Sequence, residues 1–170
     1  MTRRDLFHKW LVYALGTVPV WLLDAYILPR FPVHGVTPML LPLAVVAVAV
    51  LEGSCAGAGF GLGVGLLWAL VYPGSVSLRL IALTVVGLLS GILSQYALQQ
   101  SFPGFLLCSA GALALIDALR TMLFRLSDLV QVADVLPVAA AECVLSLVWS
   151  PLVWLLFRRV YRRVGGDKLA

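Results

Sequence analysis

Long apolar runs succeed one another along the chain, separated only by short breaks of proline, glycine, serine and charged residues. A helix needs roughly 20 apolar residues to cross the hydrocarbon core of a bilayer. The runs fall at about 10–28, 36–51, 56–72, 80–98, 104–124 and 135–157. The breaks carry Pro29 and Pro32, then Glu52-Gly53-Ser54, Pro73-Gly74, Ser101 with Pro103, and a polar stretch over 127–134. This pattern predicts an all-α polytopic membrane protein, with six transmembrane helices in one bundle forming a single domain over 1–170. The break at Gly53 leaves room only for a very tight hairpin between the second and third spans.

Composition agrees with the pattern. Apolar residues make up 62% of the 170 positions and charged residues 12%, about half the charge of an average soluble domain. Mean hydropathy is +1.03. These residues leave no room for a separate soluble catalytic domain, so any function is expected in the helices or their short loops. Basic residues cluster at the two ends: Arg3, Arg4 and Lys9, then Arg158, Arg159, Arg162, Arg163 and Lys168. The positive-inside rule places both clusters, and hence both termini, in the cytoplasm. That requires an even number of spans, and six leaves only Arg30, Arg79 and Arg125 outside. The net charge of +4 therefore points to anionic lipid head groups and interfacial anchoring, not to nucleic acid; docking of a cytoplasmic partner is the other use open to it.

The three cysteines, Cys55, Cys108 and Cys143, are widely spaced and read as small apolar residues. The first apolar run is longer than a signal-peptide core and lacks a convincing cleavage site, so it is expected to remain as the first helix.

Within the spans, glycine carries the clearest spacing. Gly57, Gly61 and Gly65 recur every four residues, and Gly59 with Gly63 makes a second row. Glycines four apart allow two helix backbones to approach closely. Two rows on one helix predict neighbours on more than one side and a central place for span three. Internal packing and packing onto another protein both remain open, and five glycines also allow an irregular segment. In span four, Thr84, Gly87, Gly91, Ser94 and Gln95 share a face expected to point into the bundle, with Leu83, Leu89 and Leu93 nearer lipid.

Ionisable residues inside a membrane are costly unless paired or hydrated. Asp24 falls in the outer part of span one. Asp117 and Arg120 are three apart on span five and able to pair, with Ser109 and Thr121 extending their face. Glu142 lies in the outer third of span six, one turn from Ser146 and two from Ser150. Asp24, Asp117, Arg120 and Glu142 are thus candidates for one polar layer. An ion-pair brace, a substrate or ion site, and proton relay or hydrolytic chemistry compete as its role. Catalysis has little support: His8 and His34 are the only histidines, both at span ends, and no HExxH, GxSxG or Walker sequence is present. No catalytic residue, metal site or cofactor is expected. Pro151 is expected to kink span six, and Trp10, Trp21, Tyr26, Tyr72 and Tyr161 sit near span ends as an aromatic belt would.

The chain resembles the bacterial rod shape-determining protein MreD family. The residues carrying the resemblance are Pro38-Met39-Leu40-Leu41-Pro42 and the hairpin and glycine-rich helix from Glu52-Gly53-Ser54-Cys55 to Gly65. Asp117-Ala118-Leu119-Arg120 and the stretch from Leu136-Pro137 through Glu142 to Pro151 and the closing arginines complete it. Family members often carry an aspartate soon after the glycine run, where this chain has Trp68-Ala69-Leu70. The resemblance implies a non-enzymatic adaptor in the bacterial inner membrane, part of the machinery that elongates the cell wall. Its implied partners are an MreC-like protein and the wall synthases, a class B penicillin-binding protein and RodA. The family's fold is also similar to the substrate-binding subunits of energy-coupling-factor vitamin transporters. The alternative is therefore such a subunit, holding a small molecule at the polar layer, although the external loops 73–77 and 126–134 offer few groups to grip a hydrophilic ligand.

Overall fold

In the computed structural model the backbone is described for residues 3–30, 35–71, 76–96, 101–126 and 132–164, and side chains for 7–30, 35–69, 80–96, 101–122 and 137–164. The breaks expected at Pro32, at Pro73-Gly74 and over 127–131 lie outside the described residues, as do His34, Tyr72, Lys168 and the side chains of Arg3, Arg4, Arg79 and Arg125.

The described chain is all-helical. Helix α1 (Arg3–Leu22) runs on into a wide π-helical turn (Leu23–Ile27) and a tight 3-10 turn (Leu28–Arg30). Then follow α2 (Leu40–Glu52), α3 (Ser54–Val71), α4 (Val76–Tyr96), α5 (Phe102–Leu126) and α6 (Val132–Arg163). Among the described residues, three stretches are long and apolar enough to cross a membrane: Phe7–Arg30, Phe102–Met122 and Pro137–Arg163. That is fewer than the six spans expected. The shortfall lies in the middle of the chain, where α2 has only 13 residues, about 20 Å of helix. It starts at Leu40, not at 36, because Met39 is extended and Pro42 then sits in the first turn, where a missing N–H costs nothing.

The centre of the bundle is α2, not the third helix as the two glycine rows predicted. Every residue from Leu40 to Leu51 is buried, and α1, α3, α4, α5 and α6 all pack against it. Its sequence explains this. Apolar on all sides, it has no face to offer water, and Ala44, Ala47 and Ala49 keep it thin enough for five neighbours to reach it.

A single residue, Gly53, joins α2 to α3. Its φ of +96° is open to glycine and strained for other residues, and a Cβ there would lie 2.4 Å from the Gln95 amide nitrogen. The helix after it is continuous and not irregular. It leans on α4 through Gly57, Gly61 and Gly65. A Cβ on Gly61 would lie 2.3 Å from the Leu83 carbonyl oxygen, and one on Gly87 would lie 2.2 Å from that of Gly57. Gly91 meets the Ser54 backbone in the same way. Leu83, placed toward lipid on sequence, is fully buried. The buried arc of α4 is two residues wide per turn (Ala82 and Leu83, Val86 and Gly87, Ser90 and Gly91), since α2, α3 and α5 all pack on it.

Large apolar side chains cover the outside: Leu11, Leu15, Val18 and Leu22 on α1, Ile81, Val85, Leu89 and Ile92 on α4, and Val144, Val148, Leu152 and Leu155 on α6. So much exposed aliphatic surface marks a membrane-associated protein. The start of α1 and the end of α6 lie together, since Tyr13 stacks on Phe157 with ring centroids 6.5 Å apart and Gly16 faces Val160. Helices α1 and α2 run antiparallel, with Asp24 at Leu40 and Lys9 at Glu52, and so do α3 and α4, with Gly57 at Gly87 and Gly65 at Leu80.

Candidate functional site

Two features built by this packing are candidates for function: polar groups gathered at the ends of α2, and a groove between α1 and α3.

A helix N-terminus leaves backbone N–H groups without partners, and inside an apolar bundle those groups have no water to turn to. The first turn of α2 solves this with side chains from other helices. Asp24, carried inward by the π-helical turn, accepts a hydrogen bond from the Leu40 N–H at 2.7 Å and a second from the backbone of Leu41. The Met39 N–H donates to Ser146 Oγ at 2.8 Å, and Pro42 has no N–H to place. The negative carboxylate also suits the positive end of the helix dipole.

The rest of the expected layer continues from Ser146. Its hydroxyl donates to the Glu142 carbonyl at 2.6 Å, and the Glu142 carboxylate accepts from Arg120 at 2.9 Å. Asp117 accepts from the Cys143 thiol at 3.2 Å and lies within electrostatic reach of Arg120. Asp117, Arg120 and Glu142 therefore meet across α5 and α6, and Asp24 joins this layer only indirectly, through the backbone of Leu40 and Met39 and the Ser146 hydroxyl. Within it the ion pair of Arg120 is with Glu142 on the next helix. Cys143 acts here as a thiol donor, not simply as a small apolar residue. Thr121 turns back to the carbonyl of Asp117, and the hydroxyls of Ser109 and Ser150 are buried without a hydrogen-bond partner.

A second polar node was not foreseen. At the other end of α2, Glu52 accepts a hydrogen bond from Tyr13 Oη at 2.7 Å and pairs with Lys9. A carboxylate at a helix C-terminus faces the negative end of the dipole, so the lysine and tyrosine offset an otherwise unfavourable placement. Ser94 Oγ donates to the Val50 carbonyl nearby. On sequence, Lys9 counted only as part of the basic end and Glu52 only as part of the hairpin. Their sole sequence signal is an acid at the close of an apolar run, which does not name its partner. Gln95, grouped with Ser94 on the inward face, is exposed.

The groove is the other feature. Gly59 and Gly63, the second glycine row, are exposed, and a Cβ on either would meet nothing within 4 Å. They line one wall of an apolar groove of about 390 Å³, opposite Trp10, Ala14 and Thr17 on α1, with Phe60 and Val64 deeper. It exists because α1 leans on α2 and α6 rather than on α3. Phe60 closes its base by edge contacts with Tyr13 and Phe157. Among the described residues, no group of three or more His, Cys, Asp or Glu side chains is arranged to hold a metal ion.

Comparison with known proteins returned no matching family model, no similar curated protein and no similar solved structure.

Proposed function

We propose that this chain is a non-enzymatic multi-pass membrane adaptor that presents the α1–α3 groove to a partner's transmembrane helix. The observation that carries the reading is the outward-facing pair Gly59 and Gly63. Each glycine costs a helix about 1 kcal/mol relative to alanine, and these two are not used for internal packing as Gly57 and Gly61 are. Small residues four apart, with Ala14 and Thr17 opposite, form the surface that lets a second helix backbone come close in lipid.

In this reading all six helices lie within the bilayer, and both basic ends face the cytoplasm. Helices α3 and α4, with 18 and 21 residues, reach about 27 and 32 Å, close to the hydrocarbon thickness of roughly 30 Å. The central α2 meets only protein and needs no match to the lipid. The resemblance to the MreD family supplies the identity of the partner: an MreC-like protein in the bacterial inner membrane, acting with a class B penicillin-binding protein and RodA in cell-wall elongation. The polar layer then serves as a brace that holds the helix ends in place, because Asp24, Ser146, Arg120 and Glu142 are turned onto one another and onto α2.

Co-purification in mild detergent tests the proposal. The wild type is expected to recover an MreC-like protein, and Gly59→Leu with Gly63→Leu is expected to lose it while melting as the wild type does. Unchanged recovery by the double variant overturns the groove as the docking face. A small molecule or transporter ATPases recovered in place of membrane-anchored partners would transfer the polar layer to the transporter reading.

A further inference from the structure

The opposite side of α1 carries another groove, of about 450 Å³, lined by Gly16 and by Leu152, Leu155, Leu156, Arg159, Val160 and Arg163 of α6. The α6 residues follow one another at spacings of three, one, three, one and three, so they form a single helix face. That face changes character along its length, from aliphatic at Leu152 to cationic at Arg159 and Arg163. From Leu152 to Arg163 is 11 residues, about 16 Å of helix. The hydrocarbon core is roughly 30 Å thick, so this face is as long as one leaflet is deep. Gly16 forms the floor, where a Cβ would lie 3.1 Å from Val160 Cγ2. Any larger side chain there would fill the groove or force the helices apart. Arg159 and Arg163 are both exposed, and the two ion pairs among the described residues use other cations.

We infer that this groove is a binding site for one anionic glycerophospholipid of the cytoplasmic leaflet. Its phosphodiester sits between the guanidinium groups of Arg159 and Arg163, and an acyl chain lies along Leu152, Leu155 and Leu156. Two guanidinium forks one turn apart match the acceptor oxygens of a phosphodiester, and the aliphatic end beneath them matches a chain and not a soluble anion. The inference rests on the membrane reading of α6. It goes beyond general attraction of basic residues to the membrane by separating Arg159 and Arg163 from Arg158 and Arg162, which do not line the groove.

Native mass spectrometry of the detergent-purified full chain, titrated with phosphatidylglycerol or phosphatidylcholine, tests it. Two arginines acting at a lipid surface predict roughly a thirtyfold preference for phosphatidylglycerol. Arg159→Gln with Arg163→Gln is expected to abolish that preference, and Arg158→Gln with Arg162→Gln to leave most of it. Leu155→Trp, which fills the aliphatic end without touching charge, is expected to weaken phosphatidylglycerol binding as well. Equal loss from either arginine pair, no effect of Leu155→Trp, or full competition by glycerol phosphate would each overturn the site. Alkaline-carbonate washing of wild-type membranes separates the two levels: release of the protein sinks the membrane reading itself, and retention leaves the lipid result to decide the groove.

Discussion

Removing the Asp24 carboxylate strikes the point where α1 holds the central helix. Asp24→Ala leaves the Leu40 and Leu41 N–H groups without their acceptor, in a region where Leu40 and Leu41 are at most 1% exposed. A buried donor left unpaired costs about 1–3 kcal/mol, so the two together set an upper range near 2–6 kcal/mol. Against this stands the relief of no longer burying a carboxylate, which costs several kcal/mol when imperfectly compensated. Two amides and a helix dipole compensate this one well, so a net loss of about 2–4 kcal/mol is expected. Asp24→Asn keeps an oxygen acceptor at nearly the same place and gives up mainly the charge–dipole attraction, about 0.3–1 kcal/mol at exposed sites and up to ~2 when partly buried. Unfolding by SDS titration, followed by far-UV circular dichroism, gives both values on one scale. Hydrogen exchange at Leu40 and Leu41 supplies a local readout, with faster exchange expected in the alanine variant. An alanine variant within about 0.5 kcal/mol of wild type, or an asparagine variant as damaging as alanine, would refute the capping argument.

The two glycine rows predict opposite outcomes. Gly61→Ala should destabilise by more than about 1 kcal/mol, because its Cβ collides with the Leu83 backbone, while Gly59→Ala should be neutral or stabilising by up to ~1 kcal/mol; thermal melts in detergent that rank the two alike would refute the assignment of faces. Arg120→Ala strips the cation from Glu142 and should cost about 1–3 kcal/mol, below the value for a fully buried pair since Arg120 is 43% exposed. Adding Glu142→Gln should recover part of that loss, and a double variant no more stable than the single would count against the brace. Tyr13→Phe should cost about 1.5–3 kcal/mol through the hydrogen bond to Glu52, and an unchanged melting curve would refute that contribution. Cys55 is exposed beside the Gly53 hairpin and Cys108 is buried, so maleimide should label Cys55 first. In intact cells a membrane-impermeant reagent should spare Cys55 if the hairpin is cytoplasmic; labelling from outside would invert the topology.

Much of the architecture could be read from residue order. The apolar runs marked the helices to within a few residues at α3, α4 and α5, because an uninterrupted apolar run can stay helical while the glycine, serine and proline at its ends break it. The one-residue turn at Gly53 was legible because few residues other than glycine adopt its backbone conformation. The Gly57 row announced close packing because its spacing brings every member to one face. The neighbour on that face was not legible: spacing fixes a side of a helix, not what occupies it. The same limit separates the two rows, since Gly59 and Gly63 have the same spacing and face open space.

The ionisable residues divide along the same line. Local sequence determined that Asp24, Asp117, Arg120 and Glu142 would need partners, because a charge in an apolar run is costly wherever the helix lies. Only the tertiary structure decided which partners: backbone amides of α2 for Asp24, Glu142 and not only its helix neighbour for Arg120, a thiol for Asp117, and Lys9 with Tyr13 for Glu52. It also decided that the shortest helix stands at the centre. Helix formation and membrane partition depend on nearby residues and are written in the chain. Which surfaces meet depends on how thin, small-sided helices fit around one another, and that sum is settled only when all of them pack at once.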